Sequence, residues 1–289
     1  MREIKEKAYA KLNISLDVMN RRPDGYHDML MVMQTVTLWD DVHITLNGEG
    51  RFSASSNLHF IPGDERNLAV KAALRYLREI GEESTGAHIS MQKRIPVGAG
   101  MAGGSADAAA VLRGLDRLFD NVLGRERLIE LAADVGSDVP FCVMGGTALA
   151  KGRGEILTPL PDMPECFFVI SKPEFSISTP ELFRKLDSSH TRRHPDTAGI
   201  LQALEKGELS QICRRMYNVF EDVDDRRMRI VSQIKGELLD SGALSAMMTG
   251  TGSAVFGVFD SEKAAEASAR QLEKLCGFCC VAAPVGYED

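Results

Sequence analysis

The sequence predicts an α+β fold in two domains, and three observations carry that expectation. Strand-like and helix-like stretches alternate along the 289 residues, with no internal repeat and no low-complexity tract. The chain exceeds the usual span of one hydrophobic core. The proline-rich stretch TPLPDMPE, Thr158 to Glu165, interrupts the periodic segments near the middle. The expected domains are residues 1–160 and 161–289.

The elements follow in order. AYAKLNISLDVM reads as a strand, NRRPDGYH carries Pro23, Asp24 and Gly25 as turn chemistry, and MLMVMQTVTL is a strand again. In RNLAVKAALRYLREIG the apolar positions Leu68, Ala72, Leu74 and Leu77 share about one helical face. Asn67 stands at the N-cap there, and Gly81 follows the end. AHISMQKRIP is a strand that Pro96 terminates. After a glycine-rich run, Ala108, Val111, Leu112, Leu115 and Phe119 recur at helical spacing, with the helix starting at Ser105 or a neighbour. RERLIELAADVG reads as a third helix and GTALAKGRGEILTPL as a hairpin. Beyond the proline-rich stretch come the strand CFFVIS, the helix STPELFRKL, and helical patterns from about Thr197 to Gly242 with breaks near Gly207 and Asp224. The chain closes with strand-like SAMMTGTGSAVFGVF, a helix from about Glu262 to Leu275, and the strand FCCVAA.

An apolar share of 44% and a charged share of 26% are ordinary for a soluble globular protein. The net charge of −7 argues against nucleic acid or an anionic membrane as a partner. An anionic ligand therefore needs a site made locally positive. MREIKEKAYAKLN holds no signal-like apolar stretch, and no apolar run reaches the length of about 18 residues needed to span a bilayer. A cytoplasmic protein with small-molecule partners, as monomer or homodimer, is expected. The six cysteines read as reduced thiols, and Cys276, Cys279 and Cys280 as packing residues with no second pair nearby to complete a metal site.

KRIPVGAGMAGGSADAAAVLRGL, Lys93 to Leu115, is the most informative stretch. Gly98, Gly100 and Gly103 satisfy G-x-G-x-x-G, but a dinucleotide fold does not fit. The preceding strand is polar, and Asp116 and Asp120 fall on the same helix or at its end, not on a next strand. A Walker loop fails for want of Gly-Lys-Ser/Thr. What remains is a glycine-rich entry into a helix N-terminus, either a tight turn or a phosphate cradle. Missing Cβ atoms at Gly103 and Gly104 would let oxygens reach unpaired N–H groups at the positive end of the helix dipole. In GSDVPFC, Asp138 is either an N-cap or a chemical carboxylate. Lys11 and Asn13 share one strand face with Tyr9, opposite Leu12 and Ile14, so Lys11 is either an exposed strand lysine or a functional cation.

Together AKLNISL, NRRPDGYHDM, PVGAGMAGGSADAA, GSDVPFC and MTGTGSAVF, in this order, resemble the GHMP small-molecule kinases. The resemblance runs from about Lys7 to Ala283, and AKLN, RPDGYH and DVPF are more specific than the glycine loop. It implies an N-terminal domain of the ribosomal-protein S5 domain 2-like type, a C-terminal ferredoxin-like domain, and an active site in the cleft between them. The same motifs are similar to the members that use ATP to phosphorylate the 2-hydroxyl of 4-diphosphocytidyl-2-C-methyl-D-erythritol, in non-mevalonate isoprenoid precursor biosynthesis. Another small-molecule kinase of the family, acting on homoserine, mevalonate or a sugar, is the alternative, as is a non-catalytic nucleotide-binding regulator on the same scaffold.

Position by position, Asp138 is similar to the catalytic aspartate and Lys11 to its partner lysine. The glycine loop implied to hold ATP is Pro96, Val97, Gly98, Ala99, Gly100, Met101, Ala102, Gly103, Gly104, Ser105 and Ala106. Asn13 is similar to a contact for the acceptor polyol, Tyr26 and His27 to residues that recognise the cytosine end, and Phe183 to a stacking face for that ring. For Tyr26 and Phe183 plain packing is the other reading. Thr179 falls on the same substrate side, and Asn67 matches a family position while serving as an N-cap. The family's loop runs closer to G-x-G-L-G-G-G-S-S-D-A-A, so Met101, Ala102 and Ala106 depart from it. Ala102 tolerates less backbone freedom than glycine and is compatible with helical or extended geometry. Ala106 removes a hydroxyl near phosphate, which leaves Ser105 for phosphate or Mg²⁺ and implies modest ATP affinity. No acidic metal ligand emerges, and Mg²⁺ is expected to arrive on ATP.

Overall fold

The computed structural model describes residues 2–189 and 193–286. Along the chain the elements are β1 (Glu3–Arg21), β2 (His27–Leu46), β3 (Phe52–Ser56), α1 (Leu68–Glu79), β4 (Ala87–Gln92), α2 (Gly103–Leu118), α3 (Gly124–Ala133), α4 (Val139–Met144), β5 (Thr147–Gly152), β6 (Ile156–Pro159) and β7 (Phe167–Lys172). They continue as α5 (Thr179–Ser188), α6 (Thr197–Glu205), α7 (Leu209–Arg215), β8 (Tyr217–Asn218), α8 (Met228–Asp240), β9 (Ser245–Met248), β10 (Val255–Phe259), α9 (Glu262–Leu272) and β11 (Phe278–Ala282). The fold is α+β. It packs as two units that interleave along the chain: Met1–Ala10, Leu38–Ile95 and Ala102–Gly145 form one, and Lys11–Thr37, Pro96–Met101 and Gly146–Asp289 the other.

In the first unit the end of β2, Asp41 to Leu46, pairs antiparallel with β4, and β4 pairs parallel with β3. Helix α1 starts as its sequence requires, with the Asn67 side chain accepting from the Ala69 N–H at 2.9 Å. Its buried face, Ala69, Val70, Ala72, Ala73, Tyr76 and Leu77, packs on α2. Asp116, one of the acids on α2, is structural. It accepts from Tyr76 Oη (2.9 Å) and from the N–H groups of Leu123 (3.0 Å) and Gly124 (3.2 Å), which ties three helices at one point.

At the other end of α2 a charged cluster is buried. The Lys93 ammonium is paired with both Asp40 and Asp107 and donates to the Gly103 carbonyl at 3.3 Å. Two carboxylates against one ammonium leave a net negative charge out of water, and Asp107 Oδ1 is buried without a hydrogen-bond partner. Burial pushes the Asp107 carboxyl up to about 7; Lys93 opposes the rise and the Asp40 charge adds to it. The folded chain therefore holds an extra proton between an ordinary carboxylate value of about 4 and about 7, and stability falls as pH rises through that window. Asp107→Asn is expected to flatten this dependence. The variant should gain on the wild type at pH 8 relative to pH 5, read from urea midpoints at the two pH values.

In the second unit Met29 to Gln34 of β2 pair antiparallel with β5, which forms the predicted hairpin with β6. Strand β1 pairs parallel with the two-residue β8, Ser15 opposite Tyr217 and Leu16 opposite Asn218. A four-stranded sheet of order β11-β7-β10-β9, antiparallel throughout, is packed by α8 and α9. All six cysteines are free. Cys166 and Cys213 are buried, while Cys276, Cys279 and Cys280 are only half-buried; burial pushes the Cys279 and Cys280 thiols up to about 12. Arg192 lies outside the described residues, and its neighbour Arg193 donates to Asp222 at 3.0 Å.

Candidate functional site

The first unit supplies the N-terminus of α2. Its first turn, Gly103 to Ser105, contains no acid, and the N-cap residue Ala102 makes no side-chain cap bond. The leading N–H groups of α2 therefore have no side-chain acceptor from the cap, and the helix dipole adds positive character there. The two adjoining glycines differ. A Cβ on Gly103 would come within 3.1 Å of Ile95 Cγ2, whereas on Gly104 its nearest neighbour is Leu68 Cδ1 at 3.8 Å. Gly103 is fixed by packing, and Gly104 stands exposed.

One expectation for this loop is corrected. Ala102 has φ 57, in the left-handed region, not the helical or extended geometry expected of alanine. That conformation crowds Cβ against the carbonyl by about 1 kcal/mol or more. Ala102→Gly is expected to raise stability by about 0.5–1 kcal/mol, seen as a higher denaturation midpoint with an unchanged denaturant slope. Ala106 is 1% exposed and Met101 likewise buried.

Asp138 also belongs to the first unit. It holds the N-cap position of α4, with Pro140 in the first turn, but its side chain makes no cap bond. The carboxylate at this half-buried position is thus not spent on the helix.

The second unit supplies Lys11, Asn13 and the first half of the glycine loop. Lys11 is 4% exposed and Asn13 0%. The lysine is a buried strand residue, not a solvated one. Lys11 Nζ donates to Asn13 Oδ1 at 2.6 Å, and Asn13 N–H donates to Thr249 Oγ1 at 3.0 Å. The Thr249 hydroxyl in turn reaches the Gly100 carbonyl at 3.4 Å. Lys11 N–H donates to the Met101 carbonyl (3.2 Å), and Ala254 N–H to the Ala99 carbonyl (3.1 Å). The glycine loop is therefore laid against the second glycine-rich loop, MTGTGSA. Gly100, at φ 77, is where they touch: a Cβ there would lie 2.2 Å from the Thr249 carbonyl oxygen. Gly98, at φ 65, faces Ser176 Oγ in the same way, at 2.7 Å.

The remaining candidates cluster around the start of β2 and α5. His27 is buried, its ring stacked on Phe183 with centroids 4.8 Å apart and planes at 23°. Phe183 is held in turn by Phe220, edge-on at 4.9 Å. Tyr26 is 55% exposed beneath the Arg153 guanidinium, 5.3 Å from the ring centroid, so it is not core packing. The Pro-Asp-Gly turn before it is tied by Arg22 N–H to the Tyr26 carbonyl (2.8 Å) and by Tyr26 N–H to Asp24 Oδ1 (3.1 Å). Thr179 is exposed and shares a 2.8 Å hydrogen bond with the Thr251 hydroxyl. Sequence reasoning missed Thr249 and Asp187. Thr249 lies in a loop where the glycines of MTGTGSA carry the stronger local signal. Asp187 was findable, because it stands four residues after Phe183 on a helix.

The model of the GHMP kinases N terminal domain matches residues 67–146, and that of GHMP kinases C terminal matches residues 200–277. A 4-diphosphocytidyl-2-C-methyl-D-erythritol kinase of Lachnoclostridium phytofermentans is 44% identical over 260 residues, 90% of this chain and 89% of that protein. A crystal structure of 4-(cytidine 5'-diphospho)-2C-methyl-D-erythritol kinase superposes with TM-score 0.82 at 31% identity, over 98% of this chain and 100% of that one. Homoserine kinase from Cytophaga hutchinsonii superposes with TM-score 0.79 at 21% identity, over 100% and 96% of the two chains, a likeness of fold alone.

Proposed function

Since the chain belongs to the GHMP kinase family, and within it to the 4-diphosphocytidyl-2-C-methyl-D-erythritol kinases, we propose a division of labour among its residues for that reaction. The reaction is ATP-dependent phosphorylation of the 2-hydroxyl of 4-diphosphocytidyl-2-C-methyl-D-erythritol, giving the 2-phosphate and ADP in non-mevalonate isoprenoid precursor biosynthesis. The observation that carries this is 44% identity sustained over 90% of the chain.

In our reading the N-terminus of α2, with Gly104 and Ser105 outermost, receives the phosphates of ATP. Uncapped N–H groups and the helix dipole act there on the transferring charge. The acceptor oxygen attacks the γ-phosphorus, the bond to the β-phosphate oxygen breaks with its electrons leaving on ADP, and Asp138 takes the hydroxyl proton. Lys11 supplies positive charge to the oxygens, and its bond to Asn13 Oδ1 holds the ammonium in one place. Asn13 contacts the acceptor polyol. Tyr26, His27 and Phe183 hold the cytosine, and Thr179 completes that side. The Ser105 hydroxyl would be the protein's contact to Mg²⁺ brought in on ATP, and the ion would supply neutralisation of phosphate charge. Residues 1–160 serve as the ATP-binding domain and 161–289 as the C-terminal domain, which the two family models support by matching on either side of residue 160. One chain, as monomer or homodimer, carries every residue named. Its demand for ATP suits a cytoplasmic enzyme, and no helix among the described residues is long and apolar enough to cross a membrane.

ATP-dependent ADP release with Mg²⁺, measured against the cytidine-linked acceptor, mevalonate, homoserine and galactose, tests the reading. Turnover is expected with the cytidine compound alone. Turnover with a different acceptor would discard the roles given to Tyr26 and His27. ATP binding without turnover on any acceptor would make the chain a regulator.

A further inference from the structure

One face of α5 holds the His27 ring in two ways. Phe183 and Asp187 stand four positions apart, so their side chains leave the same side of the helix. Phe183 stacks on the imidazole and fixes its plane. Asp187 Oδ1 lies 2.8 Å from His27 Nε2 and fixes the rotation of the ring within that plane. An ionised carboxylate only accepts, so Nε2 must carry the proton. In the neutral ring the other nitrogen, Nδ1, is then left with a lone pair.

We propose that Asp187 is a positioning residue that sets base specificity: by holding the proton of His27 on Nε2, it makes Nδ1 an acceptor for the 4-amino group of cytosine and a poor neighbour for the 4-oxo group of uracil. This rests on the reading of His27 as a base-facing residue. Cytosine and uracil differ at C4 by an amino donor against an oxo acceptor. Opposite a fixed acceptor, uracil sets lone pair against lone pair and leaves both groups unpaired, the situation in which a polar site discriminates most strongly. Without Asp187 the ring is free to move its proton to Nδ1 and donate to uracil. A purely structural tie between α5 and β2 would behave differently, since its loss would weaken both substrates alike.

The test combines kinetics with ring-nitrogen NMR on histidine-labelled protein at about pH 8, where an ordinary imidazole is neutral. Values of kcat/KM are compared for the cytidine substrate and its uridine analogue in wild type, Asp187→Ala, Asp187→Glu and His27→Ala. The wild-type His27 is expected to be the Nε2–H tautomer, and Asp187→Ala a mixture. The preference for cytidine is expected to fall by about tenfold or more in Asp187→Ala and to recover in part in Asp187→Glu. An Nδ1–H tautomer in the wild type, or an unchanged preference in Asp187→Ala with both rates reduced together, would overturn the proposal. If His27→Ala also keeps the preference, the placing of His27 against the base fails, and the proposal fails with it for a reason the data identify.

Discussion

Asp138→Asn is expected to lower kcat by about 10²–10⁴-fold, the usual worth of a positioned general base, while KM for ATP changes little. Asparagine keeps the size of the side chain and its capacity to accept a hydrogen bond at the acceptor hydroxyl, but it cannot take the proton. The α4 helix takes no cap bond from the Asp138 side chain, so no cap hydrogen bond is lost with the charge. Rapid-mix measurement of the transfer step beside a denaturation curve separates the two effects. A transfer rate unchanged by the substitution would remove Asp138 from the chemistry. Lys11→Met should also lose activity, but here some stability goes too, since Asn13 Oδ1 loses its 2.6 Å donor at a fully buried position.

The second large effect is expected at Gly100. Gly100→Ala places a Cβ 2.2 Å from the Thr249 carbonyl oxygen, in a residue whose φ of 77 already disfavours any side chain. Backbone cannot yield as a flexible side chain does, so one of the two glycine-rich loops must move. A loss of about 3 kcal/mol or more is expected from strain and overpacking together, read as a large fall in denaturation midpoint. Gly104→Ala is the matching control. Its Cβ meets nothing nearer than 3.8 Å, within a helix, so stability should hold or rise by up to about 1 kcal/mol. Activity should fall nonetheless, through a raised KM for ATP, if phosphate oxygens approach that first turn. Equal stability losses at the two positions would contradict the assignment of one glycine to the fold and the other to the ligand.

These glycines also show what the sequence made legible. That the run served a helix entry was readable from local chemistry, as were the Asn67 cap and the β5–β6 hairpin, because each is decided by residues close in the chain. That Gly100 makes room for protein backbone was not readable, because its partner Thr249 lies far along the chain. The left-handed Ala102 was hidden for the opposite reason: alanine carries no signal for that conformation, and only the docking of both flanks imposes it. Strand β1 misled through its period. Lys11, Asn13, Ser15 and Asp17 alternate with apolar residues as a half-exposed strand should, yet all four are buried. Their cover comes from remote segments, among them His194, whose Nδ1 lies 3.0 Å from Asp17 Oδ2. A polar strand face reads as solvent until those segments are in place. The cytosine-side residues were named by resemblance, but the arrangement of His27 between Phe183 and Asp187 required the helix to be built.

The most direct measurement is a single-turnover reaction of the wild-type enzyme with γ-labelled ATP and 4-diphosphocytidyl-2-C-methyl-D-erythritol, with the product's phosphate located by phosphorus–proton NMR. One labelled phosphoryl group per acceptor is expected, as a monoester on the C2 oxygen, with ADP formed in equal amount. Label found on another oxygen, or ADP released with no labelled acceptor, would contradict the chemistry assigned to Asp138 and Lys11.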